Sequence, residues 1–347
     1  MQEPRHLALR APIAFRALPR AVVLAIALAA CDAGSLAAPS GVPVVPDGGG
    51  TVTAPESRSP FAGARFHVDP QSKARITASA WRATRPADAA QMDKIASQPV
   101  IRWFGSWNAN VRADVDAATS ASIAAGALPV FVAYNIPQRD CGGLSGNNTT
   151  TVDAYRAWVS ALAEGIGARR AVIILEPDAL AELDCLDAAG QQRRLELIRW
   201  AVQTLTARGT LAVYLDAGNP RWQTTSTMAT RLAGAGVAMA QGFTLNVSNF
   251  LTTSETIGYG AALSDKVGGK HFLVDTGRNG AGHNGEWCNP SGRALGARPT
   301  SETGHPLVDA FLWVKAPGES DGPCNGALSS GEWMPEYALG LAQRAAY

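Results

Sequence analysis

The sequence predicts an α/β fold, a single domain built on a parallel β/α barrel of seven strands. Short apolar runs rich in β-branched residues, typical of strands buried on both faces, recur along the chain. Segments with apolar residues at helical spacing separate these runs, as expected for parallel strands joined by crossover helices. Every run ends in a polar or aromatic residue. A barrel gathers such residues into one ring, whereas an open sheet concentrates them at one switch point.

The amino-terminal 60 residues are predicted to precede this domain. Residues 1–31 combine arginines with the apolar run 21–30, which is too short to span a bilayer, so we interpret them as an export signal. The run ends in Leu28-Ala29-Ala30-Cys31, which resembles a bacterial lipobox; an ordinary signal peptide with an incidental Cys31 is the alternative. Residues 32–60 are rich in Pro, Gly and Ala and are predicted to be a linker. The domain then occupies residues 61–347.

The seven predicted strands follow in chain order. They lie at residues 100–103, 130–134, 172–176, 211–216, 242–246, 271–275 and 309–315. Helical spacing predicts helices such as those at 112–125, 152–168 and 191–207. The residues that end the runs are Trp103, Tyr134, Glu176 with Asp178, Asp216, Asn246, Asp275 and Lys315. We expect these side chains at the carboxyl rim of the barrel, where the chemistry of such folds takes place.

The third run ends abruptly in two carboxylates, Glu176 and Asp178, held around Pro177. Proline cannot continue a central strand, so it stops the strand and leaves both acids at the rim. Placing acids there costs desolvation free energy, which favours a functional role. The alternative is that Asp178 caps a helix beginning at Ala179.

The second run leads into a similar arrangement, because Pro137 stops the strand and Asp140 follows beside a cysteine. The alternative for Asp140 is a surface ion pair with Arg139, which would contribute little. The chain has five cysteines, an odd number, and acylation of Cys31 would leave four. Pairing these as Cys141–Cys185 and Cys288–Cys324 would close two loops beside the rim, as an oxidising compartment permits.

Composition narrows the kind of ligand. The net charge of +1 gives no support for nucleic-acid binding. The acids lack the tight spacing of a calcium loop and the histidines lack zinc-ligand spacing, so we predict no metal and no other cofactor. Acids gathered with tryptophans are instead typical of a sugar site. Aromatic rings stack on pyranose faces there, while carboxylates bind hydroxyls and transfer protons.

Together these motifs resemble glycoside hydrolase family 6, the cellulose-degrading family of endoglucanases and cellobiohydrolases. One family signature, V-x-Y-x-x-P-x-R-D-C, matches residues 132–141, and the other, of the I-x-E-P-D type, matches residues 174–178. Similar segments extend the resemblance from about residue 60 to the carboxyl terminus. The resemblance implies a distorted, TIM-like barrel of seven strands, in agreement with the seven runs. It also implies hydrolysis of β-1,4-glucan chains with inversion of the anomeric centre.

The resemblance implies roles for individual residues. Asp178 would be the general acid that protonates the glycosidic oxygen. Asp140 would raise the pKa of Asp178 and help to organise the catalytic water through Ser145. Tyr134 would press on the sugar at the −1 subsite and favour its distortion. Glu176 would be a supporting carboxylate that shapes the turn.

Further residues would line the site. Asp216 and Asp321 would do so, Asp321 being the family's debated candidate for the base. Glucosyl units would contact a set of aromatic and polar side chains: Trp103, Ser145, Trp222, Asn249, Trp287, Lys315 and Glu319. The chain departs from the family pattern at Asn219, which replaces a histidine, and after Trp222, where a second tryptophan is absent.

Loop lengths favour one mode of cleavage. Exo-acting members of the family enclose the glucan in a tunnel built by long insertions after the first signature and near the carboxyl terminus. Here residues 141–153 and 321–333 form short segments, so we predict an open cleft and an endo-β-1,4-glucanase. The alternatives are an exo-acting cellobiohydrolase and a non-catalytic glycan-binding lipoprotein. We expect an exported monomer, anchored to a membrane through Cys31 or otherwise secreted.

Overall fold

A computed structural model of the chain describes residues 59–146 and 150–347. Its centre is a sheet of seven parallel strands, which pair in chain order. The strands are β1 (Arg102–Gly105), β2 (Val130–Tyr134), β3 (Ala171–Leu175), β4 (Leu211–Asp216), β5 (Gly242–Leu245), β6 (His271–Asp275) and β7 (Val308–Leu312). The predicted fold class is confirmed. The predicted export signal, Cys31 and nearly all of the predicted linker lie outside the described residues.

Two strands differ from their predicted bounds by two or more residues, because an apolar run is not the same as a hydrogen-bonded ladder. β1 begins at Arg102, since Ile101 donates its N–H to Trp313 O, 3.0 Å away at the other edge of the sheet. β7 ends at Leu312, since the N–H groups of Val314 and Lys315 lie 3.2 and 3.0 Å from the Asp275 carboxylate oxygens.

The sheet curls into a distorted barrel. In the part of the chain that the structure describes, no strand ladder joins β1 to β7. The gap is spanned by the Ile101 bond and by Trp103, whose indole Nε1 donates to Val314 O at 2.8 Å. The interior is filled by side chains such as Val132, Ile174 and Tyr214 and is therefore a packed core, not a pore.

Eight helices pack around the sheet or beside it within the described ranges. They are α1 (Lys73–Trp81), α2 (Pro86–Ala96), α3 (Val111–Ala124), α4 (Val152–Ile166), α5 (Ala188–Thr206), α6 (Thr225–Gly234), α7 (Thr253–Lys266) and α8 (Pro335–Gln343). Side chains of Asn110, Thr151 and Asp187 cap the amino ends of α3, α4 and α5 by accepting a backbone N–H three residues on. Among the described residues, no helix combines the length and the apolar character needed to cross a membrane.

Backbone strain concentrates at the carboxyl rim. Within residues 59–146 and 150–347, nine residues other than glycine have a positive φ angle: Gln138, Asp140, Cys141, Glu176, Asp178, Asn246, Ser248, Asn289 and Asn325. All nine lie in the loops that follow β2, β3, β5, β6 and β7. Such conformations cost about 1–3 kcal/mol each and persist only where the surroundings enforce them, which is characteristic of functional sites.

Candidate active site

One cleft at the carboxyl rim brings together nearly all of the predicted site residues. Its volume is about 1310 Å³. The predicted residues that line it are Trp103, Tyr134, Asp140, Ser145, Asp178, Trp222, Asn249, Trp287, Lys315, Glu319 and Asp321. Asp216 was also predicted to line the site, but its side chain is buried beneath Asp178.

Asp178 stands directly after β3 with φ at 72°. No α-helix begins beside it: the next one, α5, starts ten residues later and is capped by Asp187. The capping alternative for Asp178 is therefore wrong. Burial raises the pKa of Asp178 well above its usual range, and the negative charges of Asp216, Glu182 and Asp140 raise it further. These surroundings favour a protonated carboxyl.

Asp216 lies beneath Asp178 and affects both its backbone and its pKa. Its Oδ2 accepts the backbone N–H of Asp178 and that of Gly218, both at 3.0 Å. Its Oδ1 is buried and has no hydrogen-bond partner among the described residues. Burial raises the pKa of Asp216 to about 7. The residue thus fixes the backbone that carries Asp178 and adds a charge beneath it.

Glu176 ties the second strand to the third. Its fully buried carboxylate accepts the backbone N–H groups of Asn135 and Ile136, each at 3.0 Å. Burial raises its pKa to about 7, although the two N–H groups oppose this shift. Glu176 faces the protein, not the cleft, and it positions the loop after β2 that carries Asp140.

Asp140, Ser145 and Tyr134 form a hydrogen-bonded chain along the cleft. The N–H and O–H of Ser145 both donate to Asp140 Oδ2, at 2.7 and 2.9 Å. The Tyr134 hydroxyl lies 3.0 Å from Ser145 Oγ. Since the single hydroxyl proton of Ser145 points to the carboxylate, Tyr134 is the donor to Ser145. The chain holds both Tyr134 and Asp140 in the cleft.

Arg139 does not form the surface ion pair that was the alternative reading of Asp140. Its guanidinium is buried and donates instead to the carbonyls of Tyr134 and Ser145, at 2.6 and 2.8 Å. It also lies over the rings of Tyr134 and Trp107, 4.3 and 5.5 Å from their centroids. Arg139 therefore positions the loop without neutralising Asp140 through a direct contact.

The opposite side of the cleft is held by ion pairs. The two oxygens of Asp321 contact the buried guanidinium of Arg278 at 2.9 Å each, and the N–H of Asn289 donates to Asp321 Oδ2 at 3.0 Å. Lys315 Nζ lies 4.0 Å from Asp321, and burial lowers the pKa of Lys315. Glu319 pairs with Lys73 at 3.3 Å. We call Asp140, Asp178, Glu182 and Asp216 the acidic wall, and Arg278, Lys315, Glu319 and Asp321 the ion-paired wall.

Both predicted disulfide pairings are confirmed. Cys141–Cys185 joins the Asp140 loop to the segment after Asp178, with Cα atoms 6.1 Å apart. Cys288–Cys324 joins the loops that follow β6 and β7, with Cα atoms 6.3 Å apart. Each bond therefore fixes one wall of the cleft.

The predicted open cleft is bridged at one point by the tips of its two short loops. Ser330 Oγ lies 3.3 Å from Leu144 O and 2.8 Å from Asp321 O, so one proton serves two acceptors. A side chain at position 322 would collide with Leu144, which explains the glycine there. The bridge connects the loop of Asp140 to that of Asp321, and a contact of this kind contributes only about 0.5–1.5 kcal/mol.

Sequence reasoning missed several residues of the cleft. Glu182 lines it one turn after Asp178, and Lys73 and Trp333 line its other end. Trp107 also lines it and is 55% exposed. The exposed tryptophans of the described chain are Trp107, Trp222 and Trp287, and all three lie in this cleft. Trp107 could have been predicted from its position, because it lies just after the end of a strand, like the other residues of the rim.

Comparisons with known proteins agree with this geometry. The model of the family described as glycosyl hydrolases family 6 matches residues 61–345. Endoglucanase A of Cellulomonas fimi is 44% identical over 282 residues, which cover 81% of this chain and 61% of that protein. Endoglucanase 1 of Streptomyces halstedii is also 44% identical, over 79% of this chain and 87% of the relative.

A solved structure shares the fold. The endoglucanase Cel6 of Mycobacterium tuberculosis, solved in complex with a methyl-cellobiosyl-4-deoxy-4-thio-β-D-cellobioside, has a TM-score of 0.78 and 46% identity. The match covers 82% of this chain and 98% of that one. More distant relatives include a protein of Aspergillus terreus described as a "Probable 1,4-beta-D-glucan cellobiohydrolase C", which is 29% identical over 78% of this chain and 68% of its own length.

Proposed function

The chain belongs to glycosyl hydrolases family 6, and on this premise we propose that it is an endo-β-1,4-glucanase that cleaves cellulose-type chains with inversion of the anomeric centre. The observation that carries the proposal is Asp178, a carboxyl exposed to the cleft and surrounded by other carboxyls. An inverting hydrolase needs an acid that is still protonated near neutral pH. Endoglucanases at 44% identity support this activity, while the cellobiohydrolase is more distant at 29%.

In this proposal Asp178 protonates the departing glycosidic oxygen. Its raised pKa keeps the proton available, and the Asp216 bond to its backbone keeps it aimed at the cleft. The Tyr134–Ser145–Asp140 chain helps to hold the water that attacks the sugar. Asp321 is engaged on both oxygens by Arg278, which makes it a poor acceptor for a proton from that water. The base then acts indirectly, through Asp140.

Substrate binding follows from the rest of the cleft. Trp103, Trp222 and Trp287 offer aromatic faces for glucosyl units, while Lys315 and Glu319 offer hydrogen bonds to hydroxyls. The contact between Leu144 and Ser330 is weak enough to open for entry of an internal segment of a chain.

The proposal is tested with purified protein and a soluble β-1,4-glucan. We expect new reducing ends together with a steep fall in viscosity per bond cut, and Asp178→Asn should slow both by about 10³-fold. A viscosity that falls much more slowly than bonds are cut would overturn the endo mode. If the wild type releases no reducing ends while Asp178→Ala still binds the glucan, the protein is a glycan-binding protein and not an enzyme.

We propose in addition that the mature protein is a lipoprotein acylated at Cys31, as the sequence Leu28-Ala29-Ala30-Cys31 supports. The full chain should then appear in the membrane fraction and globomycin should block its processing. Processing that is insensitive to globomycin would show that Cys31 is incidental and that the protein is secreted.

A further inference from the structure

Glu182 is an acid of the cleft that neither signature of the sequence contains. Its N–H donates to Asp178 O at 2.9 Å, closing one helical turn over residues 178–182. Asp178 and Glu182 both line the cleft, and the negative charge of Glu182 acts on the carboxyl of Asp178. The Cys141–Cys185 disulfide fixes this turn beside the Asp140 loop, with Cys141 Sγ 3.7 Å from Glu182 Oε2.

None of the described residues gives the carboxyl of Glu182 a direct hydrogen-bond or ion-pair partner. Among the described residues, no N–H or O–H group lies within hydrogen-bonding distance of its carboxyl, and a disulfide sulfur has no proton to donate. The charged groups that face it are Asp140, Asp178, Asp216 and Arg194. Arg194 is buried and donates its N–H groups to the carbonyls of residues 137, 138 and 179.

We propose that Glu182 is a positioning residue that keeps Asp178 in its acid form, and this inference rests on the proposed function. The negative charge of Glu182, one turn from Asp178, opposes ionisation of the proton donor as the pH rises. Burial raises the pKa of Glu182 to about 7, so its charge develops across the neutral range, where the donor must hold its proton. Lys315, which lowers the pKa of Asp178, is the opposing influence.

The test is the pH dependence of kcat/KM for Glu182→Gln on a cello-oligosaccharide. Removing the negative charge should lower the pKa of Asp178, so the alkaline limb should move to lower pH by about one unit. Glu182→Asp, which keeps a charge, should restore most of the shift. Asp184→Asn is the matched control: this acid, two residues on, is already paired with Arg231 at 2.5 Å, and its removal should leave the limb in place.

A second substrate separates this role from a structural one. A dinitrophenyl cello-oligoside has a leaving group that needs no proton, so Glu182→Gln should cleave it with wild-type kcat/KM at every pH. If Glu182→Gln fails to fold, Glu182→Ala carries the same expectation. An alkaline limb that does not move in a folded, active variant overturns this inference alone. A wild type that cleaves neither substrate overturns the proposed function and the inference with it.

Discussion

The acidic wall and the ion-paired wall of the cleft differ in what their cationic side chains contact. On the acidic wall, Arg139 and Arg194 donate to backbone carbonyls, and the neighbouring carboxyls raise the pKa of Asp178. On the ion-paired wall, Arg278 and Lys315 approach the carboxylate of Asp321 directly. A carboxyl that must donate a proton needs the first arrangement, and one that must stay ionised needs the second. An aspartate can therefore serve as a proton donor or as an ion-pair partner, depending on whether the nearest guanidinium contacts its carboxyl group.

The largest effect should follow from Asp178→Asn. Loss of a general acid lowers kcat by about 10²–10⁴-fold, so we expect a loss of about 10³-fold on a glucan with little change in KM. The folded state raises the pKa of Asp178, so wild-type stability is greatest below the unfolded pKa and falls as pH rises through the raised value. Asp178→Asn should thus be the more stable protein at alkaline pH. Thermal unfolding at pH 5 and pH 8.5 tests this, and a variant that is less stable at both would contradict the description of the acidic wall.

Asp321→Asn should show the reverse pattern on the other wall. It leaves the guanidinium of Arg278 buried without its bidentate partner, and breaking a buried pair in this way costs about 3–5 kcal/mol. We expect a clear fall in the free energy of unfolding, measured with denaturant at pH 7. Asp140→Asn is the matched control, because Ser145 and not a cation holds that carboxylate. Equal losses of stability in the two variants would remove the distinction between the walls.

The strand ladder and both principal acids of the proposed mechanism were predictable from the sequence. Apolar runs of strand length specify where the strands lie, and a proline after a run leaves the acids at the rim, as Glu176-Pro177-Asp178 illustrates. The charge state of each acid was not predictable, since it depends on partners far along the chain. Asp321 meets Arg278 from 43 residues away and Glu319 meets Lys73 from 246 residues away.

The positions of two acids, Asp216 and Glu182, were not evident from the sequence, for the same reason. Asp216 ends its strand like the other rim residues, yet its carboxylate turns under Asp178 to accept a backbone N–H, which alternation along a strand does not reveal. Glu182 was overlooked because the segment after Asp178 reads as the start of a helix. The positive φ of Asp178 instead makes a single turn there, and that turn brings Glu182 into the cleft.

A smaller effect should follow from Ser145→Ala, which tests how the acidic wall is organised. The variant removes one donor to Asp140 and the acceptor of the Tyr134 hydroxyl. A hydrogen bond to a charged group contributes about 1.5–3 kcal/mol, so we expect kcat to fall at least about tenfold. Tyr134→Phe leaves the Ser145–Asp140 bond intact and should cost less. If Tyr134→Phe is the more damaging variant, the hydroxyl of Tyr134 acts on the sugar directly and not through Ser145.

The smallest effect should come from a substitution of Trp107. This side chain has two candidate roles beside the acidic wall: it can stack on substrate, or it can support Arg139. Its exposed ring is available to a glucosyl unit, and Arg139 lies over it 5.5 Å from the centroid. A side chain at position 105 would overlap the ring, so the indole of Trp107 packs directly against the backbone of Gly105 at the end of β1. If stacking on sugar dominates, Trp107→Ala should raise KM for long cello-oligosaccharides about fivefold with kcat unchanged, a loss of about 1 kcal/mol. Trp107→Phe should recover most of this affinity. A fall in kcat at constant KM would instead show that the ring holds Arg139 in position. The acidic wall would then depend on this aromatic contact as well as on its disulfide.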